Sequence, residues 1–302
     1  MTVSPGGSID ARAGLAGKVA AIIGGAGGVG RAVTLALAEV GVDIVVCDRD
    51  EEATAMIRSE VAALGRRCIS SCEDVVDPAS MPRFYDEAAR GFERLDIVVN
   101  VAGGVVFSPV EKSSAEQDAA DIRRNYGYVV DSVKLAAPLM RKGGRGGSII
   151  SFTTIEAHRG AAGFAVYAGA KAAIVNFSKA AAVELGPDRI RLNMIAPDTT
   201  PSASSRGALP VEILEPYLAL SSEVRAEGHK MYIPMQVAPT LDDLANAVLF
   251  LASDLARSIT GTTLHVDGGT MAAAGFVRWP FGDGILPSPK AGVLGRLFPD
   301  GA

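Results

Sequence analysis

Cysteine is scarce in this chain. The three present, Cys47, Cys68 and Cys72, are an odd number without disulfide spacing, so a disulfide scaffold is excluded and a reducing, cytoplasmic setting is expected. Cys68 and Cys72 stand four apart, but no histidine or further cysteine lies near them to complete a tetrahedral set. No metal site is expected, and the thiols read as buried strand residues. Long hydrophobic runs are missing too: no stretch of about 18 uncharged apolar residues occurs, so neither a transmembrane helix nor a membrane partner is expected. Between Met1 and Gly14 there is no basic leader with an apolar core, hence no secretory signal. Excess positive charge is absent; a formal net charge of −5 gives no electrostatic reason to expect nucleic acid or an anionic surface. What remains is 302 residues, 48% hydrophobic and 21% charged, ample for a packed core in one large or two ordinary domains.

Short apolar runs alternate with amphipathic stretches along most of the chain. Strands are read at residues 19–23, 43–47, 67–71, 96–99, 148–152, 190–195 and 263–266. Helices are read at about 28–40, 51–64, 79–93, 115–141 and 165–185. That alternation predicts an α/β fold of Rossmann-like type, a doubly wound seven-stranded parallel sheet with helices on both faces. No linker divides it, so a single domain is expected over 15–272, after a flexible tail at 1–14 and before a C-terminal extension at 273–302. Between about 197 and 240 the rhythm breaks: Pro197, Pro201, Pro210, Pro216 and Pro234 interrupt short helical pieces, as expected of a lid beside the carboxyl ends of the strands.

The first strand runs directly into Gly24-Gly25-Ala26-Gly27-Gly28-Val29-Gly30, and the first helix follows. Glycines there permit a tight turn and bring a pyrophosphate against free helix N–H groups. Asp48, just beyond the second strand, stands where a carboxylate can accept hydrogen bonds from ribose hydroxyls. The same charge repels a 2′-phosphate and favours NAD over NADP, whereas the adjacent Arg49 could pair with that phosphate.

A second cluster follows the fifth strand. Tyr167 and Lys171 are four residues apart in a predicted helix, so their side chains can meet. Ionising a phenol at pH 7 costs about 4 kcal/mol, and a neighbouring ammonium lowers that cost. Of six tyrosines only Tyr167 has a lysine four residues on. The Thr154 hydroxyl, at the end of the preceding strand, could hold a substrate oxygen.

Taken together these residues resemble the short-chain dehydrogenase/reductase family. Its glycine motif is matched by Gly24, Gly28 and Gly30, with Ile23 in place of the threonine. Asp74-Val75 resembles the pair that contacts adenine. Asn100-Val101-Ala102-Gly103 resembles the Asn-Asn-Ala-Gly motif, and Asn125 falls where the family's catalytic asparagine anchors a water. Tyr167 and Lys171 match the catalytic pair. Thirteen residues before the tyrosine, the family's catalytic serine is replaced by Thr154, with Thr153 as the fallback. After Pro197 the usual glycine is replaced by Asp198, and the alignment turns Pro197, Thr200 and Ser202 toward the cofactor. The resemblance spans about residues 15–272.

The resemblance implies an NAD-dependent oxidoreductase that interconverts a secondary alcohol and a ketone. It implies catalytic Asn125, Thr154, Tyr167 and Lys171, the last holding the nicotinamide ribose as well. It also implies a homo-oligomer, tetramer or dimer. Glu156 and His158, between Thr154 and Tyr167, are candidate substrate contacts; His229 and His265 read as structural. Two alternatives stand: an NADPH-dependent ketoreductase, and a dinucleotide-binding protein with little catalysis. Phe276, Trp279, Phe281 and Phe298, beyond the resemblance, are expected to pack over a pocket or on another subunit.

Overall fold

The structure is a computed structural model that describes residues 8–198, 200, 211–273, 275–278 and 284–287. Seven strands form one parallel sheet: β1 (Val19–Ile23), β2 (Asp43–Asp48), β3 (Cys68–Cys72), β4 (Ile97–Asn100), β5 (Gly147–Phe152), β6 (Ile190–Pro197) and β7 (Thr263–Val266). Their order is β3-β2-β1-β4-β5-β6-β7. The chain therefore reverses its direction of travel across the sheet between β1 and β4, which opens a crevice at the carboxyl ends of those strands.

Alternation within each strand divides the core in two. Val19, Ala21 and Ile23 of β1 face one layer with Val45 and Cys47, whereas Ala20, Ile22, Ile44 and Val46 face the other. The first layer is closed by α4 (Ser80–Gly91), α6 (Tyr128–Gly143) and α7 (Ala165–Leu185). The second is closed by α2 (Gly28–Glu39), α3 (Glu51–Ala63) and α10 (Leu241–Ala252). Burial on both faces explains why the strands read as continuous apolar runs. Cys47 is buried as expected, but Cys68 is half-buried and Cys72 exposed, because the edge strand β3 has no neighbour beyond it.

Four segments depart from the sequence reading. Ile9–Ala13 forms a short helix, α1, where flexible chain was expected; Ser8 caps its start by accepting from the Ala11 amide at 3.2 Å, and Gly14 closes it with φ +60°. The helix read over 115–141 is α5 (Ala115–Ile122) joined to α6 through one π turn, Arg123–Gly127. Pro216 lies inside α8 (Val211–Ala219) rather than interrupting it, since only one intrahelical bond is forfeited there. Beyond the short α11 (Thr270–Ala273), β8 (Phe276–Arg278) pairs antiparallel with β9 (Ile285–Pro287), and β8 contacts α9 (Ser222–Tyr232). Trp279, Phe281, Phe298 and Ser202 lie outside the described residues.

Asn100, expected at the cofactor, is instead buried between sheet and helix. Its amide donates to Ser151 Oγ at 3.1 Å and its Oδ1 accepts from Ser132 Oγ at 2.7 Å; that serine also bonds the Tyr85 hydroxyl at 2.7 Å. A side chain used at both ends in this way ties β4 to β5 and α6. Asn100→Leu keeps a similar volume but strips partners from two buried hydroxyls. It should lower the unfolding free energy by about 1–3 kcal/mol, measured by urea titration.

Candidate active site

The crevice at the switch point is a cleft of about 430 Å3 lined by Gly24, Gly27, Gly28 and Val29 on one side and Val101, Ala102 and Gly103 on the other. Two glycines of the turn, Gly24 and Gly30, are sterically required. Gly24 has φ +81°, and a Cβ there would lie 2.6 Å from the Ala102 amide. A Cβ on Gly30 would collide with the Gly24 carbonyl. Gly27 borders the cleft with nothing within 4 Å of its would-be Cβ, so any side chain would project into open space at the start of α2. A narrow, unobstructed cradle of this kind at a helix N-terminus fits a pyrophosphate.

Asp48, Arg49, Asp74 and Val75 line the far end of the same cleft. Asp48 is fixed by the Ala26 amide at 3.1 Å and the Arg49 amide at 2.8 Å, which holds its carboxylate across from the glycine turn. Asp74 accepts from the Val76 amide at 2.9 Å. Arg124 and Glu73 line this cleft as well, and the sequence reading missed both. Arg124 is placed there by the π turn, which no hydrophobic period foretells.

A second cavity, about 280 Å3, shares Val29, Val101 and Gly103 with the first. It brings Thr154, Glu156, Tyr167, Lys171, Pro197 and Thr200 together. A third cavity, about 800 Å3, shares Val105, Glu156 and Tyr167 with the second and adds His158, Arg159, Phe164 and Met271. Tyr167 and Glu156 thus stand at the passage between a dinucleotide-shaped cleft and an outer, largely apolar one.

Lys171 is 4% exposed and donates to the Phe152 carbonyl at 3.0 Å. Burial lowers its pKa to about 8. Asn125, fully buried in the π turn, donates to the Gly104 carbonyl at 2.9 Å and the Asp121 carbonyl at 3.1 Å, and accepts from the Gly104 amide at 3.2 Å. A Cβ on Gly103 would lie 2.9 Å from Asn125 Oδ1 and 3.2 Å from Lys171 Nζ, so these two groups converge on one glycine.

The Tyr167 phenol is not lowered, as a lysine one turn away would suggest; it is pushed up to about 12. Burial is the main cause and the Glu156 charge the second, while the Thr154 hydroxyl acts in the opposite direction. The phenol is therefore protonated at neutral pH in the ligand-free protein. Thr154 Oγ1 donates to Glu156 Oε2, and Glu156 Oε1 accepts from Arg159 Nη2 at 2.9 Å. Arg159 donates also to the Tyr232 hydroxyl at 2.7 Å, which in turn donates to Asp198 Oδ2 at 2.8 Å. Asp198, the departure from the expected glycine, thus receives the end of a polar chain from α9. Thr153, the fallback hydroxyl, is occupied with the Ile195 carbonyl at 3.1 Å. His158 borders the outer cavity and stacks on His265 at 4.8 Å; burial, then His265 and Lys179, lower its pKa, so it is neutral at pH 7.

A family model described as enoyl-(acyl carrier protein) reductase matches residues 24–271. The chain belongs to the short-chain dehydrogenase/reductase family. It is 34% identical over 257 residues to a 2,5-dichloro-2,5-cyclohexadiene-1,4-diol dehydrogenase of Sphingobium indicum, covering 84% of this chain and 96% of that one. It is 31% identical over 274 residues to a cyclohexanol dehydrogenase of Rhodococcus sp. (strain TK6), with the same coverages. The crystal structure of carveol dehydrogenase from Mycobacterium avium in complex with NAD superposes with a TM-score of 0.77 at 30% identity, covering 85% of this chain and 98% of that one. The protein is an oxidoreductase of the kind that acts on CH–OH groups. Among the described residues no helix is long and apolar enough to cross a membrane.

The depressed Lys171 pKa has a consequence for stability. Its folded value, about 8, lies below the ordinary 10.5, so between those pH values the unfolded chain holds a proton that the folded one has lost. This contribution makes stability rise with pH through that window. Relative to Lys171→Met, the wild type should gain on the order of 3 kcal/mol from pH 7 to pH 10.5, read by urea unfolding at both ends.

Proposed function

We propose that this protein oxidises a secondary alcohol to a ketone, and runs the reverse reduction, with NAD as hydride carrier. The observation that carries this reading is the position of Tyr167, which lines both the cavity continuous with the dinucleotide cleft and the outer cavity where a substrate would enter. Gly24, Gly28, Val29 and Gly30 would hold the pyrophosphate, Asp48 the adenosine ribose, Asp74 and Val75 the adenine, and Ala102, Gly103, Pro197 and Thr200 the nicotinamide side. When bound, the nicotinamide supplies or accepts the hydride.

The protein's own groups handle the proton. Tyr167 is the acid in reduction, a role its protonated state already suits, and the base in oxidation, where the nearby Lys171 ammonium offsets the burial that opposes a phenolate. Thr154 positions the reacting oxygen against Tyr167. The Thr154 hydroxyl donates to Glu156 in the ligand-free protein and would turn from it to donate to the reacting oxygen, because an alcohol's one O–H proton goes to Tyr167. Asn125 keeps the Gly103–Gly104 loop against Lys171 and completes the catalytic set. The working unit in this reading is a homo-oligomer.

Asp48 supports NAD over NADP. A carboxylate facing a 2′-phosphate would cost about 1 kcal/mol in water-like surroundings and about 4 kcal/mol at an effective dielectric near 20. Arg49, which lines the same end of the cleft, is what favours the NADPH-dependent alternative.

Two measurements test the proposal. Tyr167→Phe should lower kcat/KM for secondary alcohols by about 100- to 10,000-fold while dinucleotide binding, followed by calorimetry, survives. Retained turnover in that variant would remove the phenol from its role. Wild-type kcat/KM should be at least about fivefold higher with NAD than with NADP; equal rates would overturn the Asp48 argument.

A further inference from the structure

Glu156 and Arg159 do not themselves carry the hydride or the reacting proton, yet they stand where a substrate must pass. Glu156 lines both the catalytic and the outer cavity, and Arg159 lines the outer one. Their side chains are 19% and 35% exposed, so neither is sealed off from a ligand. Each Glu156 oxygen has one named protein donor, Arg159 on Oε1 and Thr154 on Oε2, and keeps a lone pair for another. Arg159 makes both of its bonds through Nη2, to Glu156 and Tyr232, leaving other N–H groups for a ligand.

Resting on the reading of Tyr167 and Thr154 as the groups that hold the reacting oxygen, we infer that Glu156 and Arg159 form a subsite for a second, neutral hydroxyl on the carbon next to the reacting carbinol. The substrate class is then a vicinal diol or polyol carried on an apolar body.

Three features select this class. First, the pair offers an acceptor and a donor side by side, the complement of a hydroxyl, which both donates and accepts. Second, its charges cancel: a carboxylate ligand would meet Glu156 and an ammonium would meet Arg159, whereas a neutral group meets neither penalty. Third, Glu156 is one hydrogen bond from Thr154 Oγ1, so its free lone pair lies one step beyond the reacting oxygen, as a vicinal oxygen does. Among the other walls of the outer cavity, Val105, Ala161, Ala162, Phe164 and Met271 supply apolar surface for the body, beside the polar His158 and Thr270. Arg159 is kept in place by Tyr232, itself anchored on Asp198, so the subsite is pre-formed.

The step balances as a two-electron oxidation. The carbinol C–H bond breaks with its electron pair leaving as hydride to NAD, the O–H proton passes to Tyr167, and the C=O bond forms, giving an α-hydroxyketone and NADH. The second hydroxyl stays intact.

The test compares cyclohexanol, cyclohexane-1,2-diol, cyclohexane-1,4-diol and 2-aminocyclohexanol as substrates with NAD. In the wild type, kcat/KM for the 1,2-diol should exceed that for cyclohexanol and for the 1,4-diol by about 10- to 100-fold. In Glu156→Ala the ratio of 1,2-diol to cyclohexanol should fall to within about threefold of unity, with thermal melting confirming that the variant is folded, whereas Glu156→Gln, whose amide still accepts and donates, should keep part of the preference. Calorimetry of the same alcohols on Tyr167→Phe with NAD bound should show the same order of affinity without turnover. A ratio near unity in the wild type, with cyclohexanol oxidised, overturns the subsite and leaves the alcohol reading standing. Preference for the amino alcohol overturns the neutral-hydroxyl assignment. Dinucleotide binding without oxidation of any secondary alcohol overturns the reading beneath it, and the subsite with it.

Discussion

A lysine with 4% of its surface exposed is the constraint around which the site is arranged. Removing an ammonium from water is costly unless hydrogen bonds replace the hydration shell, and here the Phe152 carbonyl at the end of β5 provides one. That bond fixes α7 against the sheet and sets where Tyr167, one turn earlier, can point. The Gly103 backbone must pass close to the same amine, which is why a side chain there would run into Lys171 and Asn125. The π turn serves the same convergence. Its extra residue brings Asn125 inward, and the Asn125 amide binds the Asp121 carbonyl as well as the Gly104 backbone.

The sheet order does the rest. Because the chain reverses its direction of travel between β1 and β4, the glycine turn after β1 and the Val101–Gly103 segment after β4 face each other across an open crevice. The strand next to β4, β5, ends in the Thr153–Thr154 pair, and β6 ends at Pro197 and Asp198. A ligand lying along the carboxyl ends of these strands therefore runs from Asp48 to Tyr167 without a gap in the lining.

Most of this was legible from residue patterns. Buried strands announced themselves as apolar runs, and Gly24 and Gly30 of the first turn were visible because backbone crowding allows no other residue there. Tyr167 and Lys171 stood out by their spacing, and Thr154 was picked out by the family resemblance. Asn100 was misplaced because a motif gives proximity in sequence and not the direction of a side chain; only packing shows that its amide turns into the core toward Ser132 and Ser151. Cys72 was misread because an edge position depends on strand order, which no single strand encodes. The Arg159–Tyr232–Asp198 chain joins residues as far apart as 159 and 232, beyond the reach of any local period.

Glu156 reverses part of the expectation drawn from Tyr167 and Lys171. A lysine one turn from a phenol should ease its ionisation, yet the opposing charge of Glu156 adds to burial and holds the phenol protonated. The same carboxylate accepts a hydrogen bond from Thr154, so a ligand must compete with Glu156 for that hydroxyl's one proton. The ionic partner of Glu156 is Arg159, and Arg159 is held through Tyr232 by Asp198. The direction of the Thr154 hydroxyl is thus set by a side chain two residues away and steadied by a carboxylate just past β6.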